Sequence, residues 1–320
     1  MKNVLKHSLL IASTLLLSLS GFSQFGQLKK FDFSVLEGKT LYIPTYEVSA
    51  KFAKRMARKG KVQEINDAKA EAEKYNKAWK EAMAESSYSA TDYEIRAFNQ
   101  RDLNRSKDPK AMIMYYYVDD NGNTSACLAV TGPKKVTVAR SVINGFDLSD
   151  KNDIRLMMNM LNESMITATE VQDGGQKVGY KNLRNKYKQR VVEFIDGIGD
   201  KTFLVSKSEH KKPKKASERN SDLRLALKSW SLSKYELKTE AEINEKRLEG
   251  DEDSYYWRDI PYYTNNILIT YHINYIISTA NDEVLFAFMG KKRLKPATLK
   301  EIENKLKSKS AKYKKQLQEG

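Results

Sequence analysis

Two rhythms of apolar and polar positions run along this chain, and they recur in the same order in its two halves. Thr40-Leu41-Tyr42-Ile43-Pro44 and Thr202-Phe203-Leu204-Val205 are short β-rich runs and predict first strands. Val62, Ile65, Ala72, Trp79 and Met83 recur at steps of three, four and seven with no proline among them, which predicts a helix over 62–84. Gly60 separates it from a basic helix over 50–59, and a shorter counterpart is expected over 222–230. Tyr93 to Phe98 alternates and predicts a strand. The runs 112–118 and 125–131 predict a hairpin whose turn, Asp119 to Asn123, holds an Asn-Gly pair that adopts positive φ cheaply. The runs 267–277 and 284–289 predict a second hairpin around Thr279 to Asp282. Ser149 and Thr298 stand where caps belong, ahead of closing helices expected over 152–164 and 299–308.

The order of these signals points to an internal duplication. Gly38-Lys39-Thr40-Leu41 resembles Asp200-Lys201-Thr202-Phe203, and Ser87 to Ile95 resembles Ser229 to Leu237. Ala111 to Gly132 superposes without a gap on Ile269 to Gly290, and Ile154, Met157 and Leu161 recur in spacing as Leu299, Ile302 and Leu306. On this alignment the first copy carries a long helical insert and the second an aromatic insert. The expected fold class is α+β. Two tandem units of strand, helix, strand, hairpin and helix would each form a mainly antiparallel sheet with helices on one face. Their expected bounds are 24–168 and 189–320, with a linker over 169–188 that breaks at Asp173-Gly174-Gly175-Gln176. At the level of architecture alone, such a tandem is similar to adaptor domains of bacterial cell envelopes.

The amino terminus changes where these units are expected to work. A basic start containing Lys2, Lys6 and His7 precedes an apolar stretch from Ser8 to Leu19, and Gly21 and Ser23 place small residues before a cut ahead of Gln24. That is the layout of a signal peptide over 1–23. The stretch is shorter than the roughly 20 apolar residues that a membrane-spanning helix needs. No cysteine follows it to carry a lipid, so the expectation is an exported protein, periplasmic or extracellular and not a lipoprotein. No later run reaches spanning length. The single cysteine, Cys127, lies in an apolar run and is read as a buried thiol.

The formal net charge of +15 favours anionic surfaces, polysaccharides or acidic proteins as partners. Export argues against nucleic acid, and Tyr115-Tyr116-Tyr117 lacks the glycine-flanked pattern of a strand-borne RNA reader. Beyond the leader only His210 and His272 remain, without the spacing of a zinc motif or a partner nucleophile, and no cofactor is implied. Gly197 to Thr202 lacks the spacing of a phosphate loop. Two features are candidate contact surfaces. One is the aromatic run Tyr255 to Tyr263, from which Tyr256, Trp257 and Tyr263 are singled out, either as rings that grip a ligand or as a roof over the sheet. The other is basic: Lys211, Lys212, Lys214 and Lys215, with a lysine-rich carboxyl-terminal helix beyond. The reading is a non-enzymatic binding or adaptor module of the envelope for an anionic or protein partner. The alternative is a hydrolase of envelope polysaccharide or peptide that uses paired carboxylates such as those at Asp119-Asp120 or Glu249 to Asp253.

Overall fold

A computed structural model describes residues 31–97, 110–132, 135–176, 178–207, 213–264, 270–290 and 294–318. The leader over 1–23, His210, Lys211 and Lys212 lie outside the described residues. Two compact units are present. One comprises Phe31–Tyr117 and Thr124–Ile166, and the other takes in Val118–Asn123 and the chain from Thr167 onward.

The first half runs through a 3-10 turn at Phe33–Leu36, β1 (Thr40–Pro44), α1 (Ala50–Arg58), α2 (Val62–Glu85), β2 (Asp92–Arg96), β3 (Ala111–Val118), β4 (Thr124–Val130), β5 (Val136–Val142) and α3 (Lys151–Asp173). The second half runs through α4 (Tyr180–Gly197), a 3-10 turn at Ile198–Asp200, β6 (Thr202–Ser206), α5 (Pro213–Leu227), β7 (Lys234–Lys238), α6 (Glu240–Glu249), β8 (Ser254–Tyr263), β9 (Thr270–Ser278), β10 (Val284–Gly290) and α7 (Pro296–Gln318). The span 169–188 is therefore mostly helix, and Gly175, at φ 72°, turns the chain between α3 and α4.

Each half builds one five-stranded sheet, and the strand orders are the same: β2-β1-β3-β4-β5 and β7-β6-β8-β9-β10. Alternation predicts mainly antiparallel pairing, but both sheets are mixed. β1 lies parallel to β2 and β3, and β6 lies parallel to β7 and β8. The registers also agree. Thr40 stands opposite Asp92 and Ala111, as Thr202 stands opposite Lys234 and Ser254. The amide of Thr40 donates to the Lys110 carbonyl at 3.0 Å, and that of Thr202 to the Asp253 carbonyl at 2.8 Å.

This register corrects the alignment of the hairpins. The partner of β3 is β8, so β4 matches β9 and β5 matches β10; the ungapped superposition of 111–132 on 269–290 is one strand out. Consecutive strands of a meander share length and alternation, so a slip of one strand keeps the pattern. The aromatic insert is thus an interior strand. Asp92 to Ala111 spans 19 positions (111 − 92) and Lys234 to Ser254 spans 20 (254 − 234), so the second copy has no insert here. Pro261 lies in β8 beyond Tyr256, the last residue paired with β6 among the described residues, and stands opposite His272 of β9.

In the second half α4, α5 and α7 cover one face of the sheet, where Phe194, Phe203, Trp230, Tyr255, Phe286, Leu299, Ile302 and Leu306 pack together. Successive strand residues point to opposite faces. Tyr256 accordingly faces away from this core, toward α6, whose Arg247 guanidinium lies 5.2 Å from the centre of its ring. The chain leaves β6 in one direction to reach β7 and returns past it to β8, and α5, with Ala226 and Leu227 in this core, lies on the opposite face from α6, whose Arg247 covers Tyr256. The closing helices also tie down the loop that precedes the edge strand. Asn162 Oδ1 accepts the amides of Ser89 and Ala90 at 3.1 and 3.0 Å, and Glu303 accepts the amide of Ser231 and, at 3.1 Å, its hydroxyl.

Candidate functional site

Parallel strands whose connections leave in opposite directions open a crevice at their carboxyl ends. β6 and β8 meet this condition, since β6 leads to β7 on one side and β8 turns to β9 on the other. A pocket of about 720 Å³ opens there. β6 contributes Val205 and Ser206 to its wall, and β8, which runs past the end of β6, contributes Trp257 and Asp259. α5 adds Arg219, Asp222, Leu223 and Leu225, and the approach to α7 adds Leu294, Lys295 and Pro296. The wall is thus apolar with two carboxylates and two cations set into it.

The floor beside Asp259 is polar. Asp259 Oδ2 lies 2.8 Å from Nδ1 of His272, whose side chain is mostly buried. Asn274 stands opposite Asp259 on β9 and is 0% exposed. Its Nδ2 donates to the His272 carbonyl at 3.1 Å, while its Oδ1 has no partner among the described residues. Gly290 leaves room for this amide, because a Cβ there would lie 3.1 Å from Asn274 Nδ2 and 3.2 Å from the Phe288 ring. Trp257 packs edge-on against Phe288 at 6.4 Å and stays half-buried.

The first half shows why this crevice is open. The buried triplet Trp79, Ala82 and Met83 of α2 matches Leu223, Ala226 and Leu227 of α5 in spacing, although Leu223 is only half-buried. With β3 matched to β8, Met114 takes the place of Trp257 and Tyr116 that of Asp259. The same helix match sets Tyr75 against Arg219 and Trp79 against Leu223. In the first half these positions are filled: the Tyr75 ring is 6.1 Å from Trp79, Trp79 is 1% exposed and Met114 4%. Burial holds the Tyr75 and Tyr116 phenols above their ordinary range. Replacing two tyrosines, a tryptophan and a methionine by Arg219, Asp259, Leu223 and Trp257 removes aromatic volume and brings in charge that must stay wet.

Of the residues singled out from the sequence, Trp257 lines the pocket. Tyr256 does not: it is 3% exposed, its hydroxyl donates to Asp282 Oδ1 at 3.1 Å, and burial holds its phenol well above the ordinary range. Two adjacent strand residues cannot share a face, so at most one of Tyr256 and Trp257 could reach the pocket. Tyr263 is exposed at the last position of β8. Lys214 and Lys215 are exposed in the first turn of α5, which starts nine residues earlier than expected. Arg219, Asp222 and Asp259 are the site residues that sequence reasoning passed over. Asp119 orders its own turn by accepting the amides of Asn121 and Asn123, and Asp251 is taken up by Lys246 and Ser254. Cys127 is buried, and burial pushes its thiol up. Among the described residues no group of His, Cys, Asp and Glu is arranged to hold a metal, and no helix is long and apolar enough to cross a membrane.

No protein-family model matches the chain, and no curated protein or solved structure does so either.

Proposed function

We propose that the chain is an exported envelope protein that binds a partner protein through the pocket at the carboxyl ends of β6 and β8, without transforming it. The observation that carries this reading is the wall of that pocket: a half-buried tryptophan among apolar side chains, with Asp222 and Asp259 set against Arg219 and Lys295. An aromatic anchor among charges of both signs suits a peptide segment that presents an apolar side chain between an acidic and a basic one. Export rests on the amino-terminal pattern, and a mature chain that begins at Gln24 on terminal sequencing would support it.

The binding test is a library of short peptides screened by tryptophan fluorescence. Of the three tryptophans, Trp79 and Trp230 are buried, so a change in emission on binding reports chiefly on Trp257. Peptides with the mixed pattern should shift the emission of the native protein and leave Arg219→Tyr/Asp259→Tyr unmoved. Equal responses from both proteins would refute the assignment.

A second reading, hydrolysis of an envelope polysaccharide or peptide, has one observation in its favour: Asp222 and Asp259 line the same pocket. Two carboxyl groups across a cleft are the minimum for glycoside hydrolysis. Bond cleavage by the native protein that disappears in both Asp222→Asn and Asp259→Asn would favour it over simple binding.

A further inference from the structure

α4 and α7 meet along a ladder of cations. Lys181, Arg184 and Lys188 follow one another on α4 at steps of three and four, and Lys305, Lys309 and Lys312 on α7 at steps of four and three. Those steps keep each trio on one side of its helix. The two helices pack together there, with Lys188 Nζ of α4 over the Tyr313 ring of α7, and the cations of each helix act on those of the other.

Two of these ammonium groups are drawn inward over rings. Lys309 Nζ lies 5.0 Å from the centre of Phe286, a core residue of β10, and Lys188 Nζ lies 6.0 Å from that of Tyr313. Lys188 is 8% exposed and donates to Asn185 Oδ1 at 3.1 Å. Other lysines on the same helices find carboxylates: Lys186 with Glu170 at 3.2 Å, Lys305 with Glu301 at 2.6 Å and Lys314 with Asp196 at 2.7 Å. Among the described residues Lys188, Lys309 and Lys312 pair with none. Burial first, and the neighbouring positive charges second, bring Lys309 down to about 8 and lower Lys188 as well. A lysine with no task in such a place would extend its flexible stem toward water.

We propose that this ladder is a second binding site, for a soluble ligand that carries several phosphate groups close together. Lysine serves phosphate as a point charge. The cations repeat along about 10 Å of α7, too far for one phosphate and suited to a short row of them. A membrane surface fits less well, because the apolar stripe of α7, Leu299, Ile302, Leu306 and Tyr313, is buried in the domain core and leaves nothing to insert. Lys309 lies 13 residues (309 − 296) beyond Pro296, about 20 Å along the helix, so the site is independent of the pocket.

Titration calorimetry of the whole protein with tripolyphosphate tests this. Lys188→Met/Lys309→Met should weaken binding by about tenfold or more. Lys300→Gln/Lys307→Gln, which removes the same charge from exposed positions of α7, should change it by less than about twofold. Absence of binding to the native protein, or equal losses in the two variants, would overturn the proposal. So would binding to phosphatidylglycerol vesicles that tripolyphosphate does not displace.

Discussion

The carboxyl ends of the two sheets differ in four side chains and in what those side chains leave room for. In the first half Tyr75, Trp79, Met114 and Tyr116 close the crevice. In the second half Arg219, Leu223, Trp257 and Asp259 line an opening of about 720 Å³ at the matching place. Strand order and register are the same in both. The topology therefore supplies a crevice in each half, and side-chain volume and charge decide whether it becomes core or site. Two similar units can in this way keep one crevice as packing and leave the other open, at the place where the proposed binding would occur.

Truncating the matching helix residue in both halves separates the two crevices by the largest margin. Trp79→Ala should cost roughly 3–5 kcal/mol in denaturant unfolding, because it empties a closed core. Leu223→Ala should cost less than about 2 kcal/mol, because that side chain already borders the pocket. Equal costs would mean that the two crevices are packed alike.

A second test addresses what holds the open half together. Arg247 and Asp282 form a bidentate pair at 2.6 and 2.9 Å with both side chains 3% exposed, and Asp282 holds φ at 59°. Asp282→Asn keeps a residue that tolerates this backbone but strips the guanidinium of its counter-charge. The expected loss is about 3 kcal/mol, measured by urea unfolding. A loss below about 1 kcal/mol would show that water reaches the pair.

The smallest effect has the opposite sign. Lys309, brought down to about 8 from an ordinary 10.5, faces Lys305 and Lys312 on its own helix, Arg184 on α4 and the Phe286 ring on β10. Between these two pH values the unfolded chain binds the proton and the folded one does not, so this residue's contribution to stability rises with pH. Below about pH 8 both states are protonated and the cost is complete. Lys309→Met should therefore gain roughly 1–2 kcal/mol at pH 7 and lose that advantage toward pH 10, as followed by thermal melts. A variant no more stable than the native protein at pH 7 would contradict this.

Much of the fold was legible where one face of an element meets water. α2 was expected over 62–84 and runs over Val62–Glu85, and both first strands lie where their β-branched and aromatic runs predict. β8 was not legible as a strand because Tyr255, Tyr256 and Trp257 are apolar at consecutive positions, as befits a strand covered on both faces. Missing it shifted the hairpin match by one strand and hid β5. The cap of α3 is Asp150, not Ser149, since the amide of Asn152 donates to Asp150 Oδ1 at 2.8 Å; two neighbouring residues of cap type cannot be told apart by sequence. Of the site, Trp257 stood out as an aromatic residue. Arg219, Asp222 and Asp259 did not, because charged residues about 40 positions apart become neighbours only once β6, α5 and β8 are placed.

The second half holds open a space whose counterpart in the first half is filled. Acrylamide quenching measures it directly, because among the three tryptophans only Trp257 stands at that opening. The native protein should show one quenchable fraction, and Arg219→Tyr/Asp259→Tyr should lose it while unfolding at nearly the same denaturant concentration. A folded double variant that is quenched as readily as the native protein would contradict the claim.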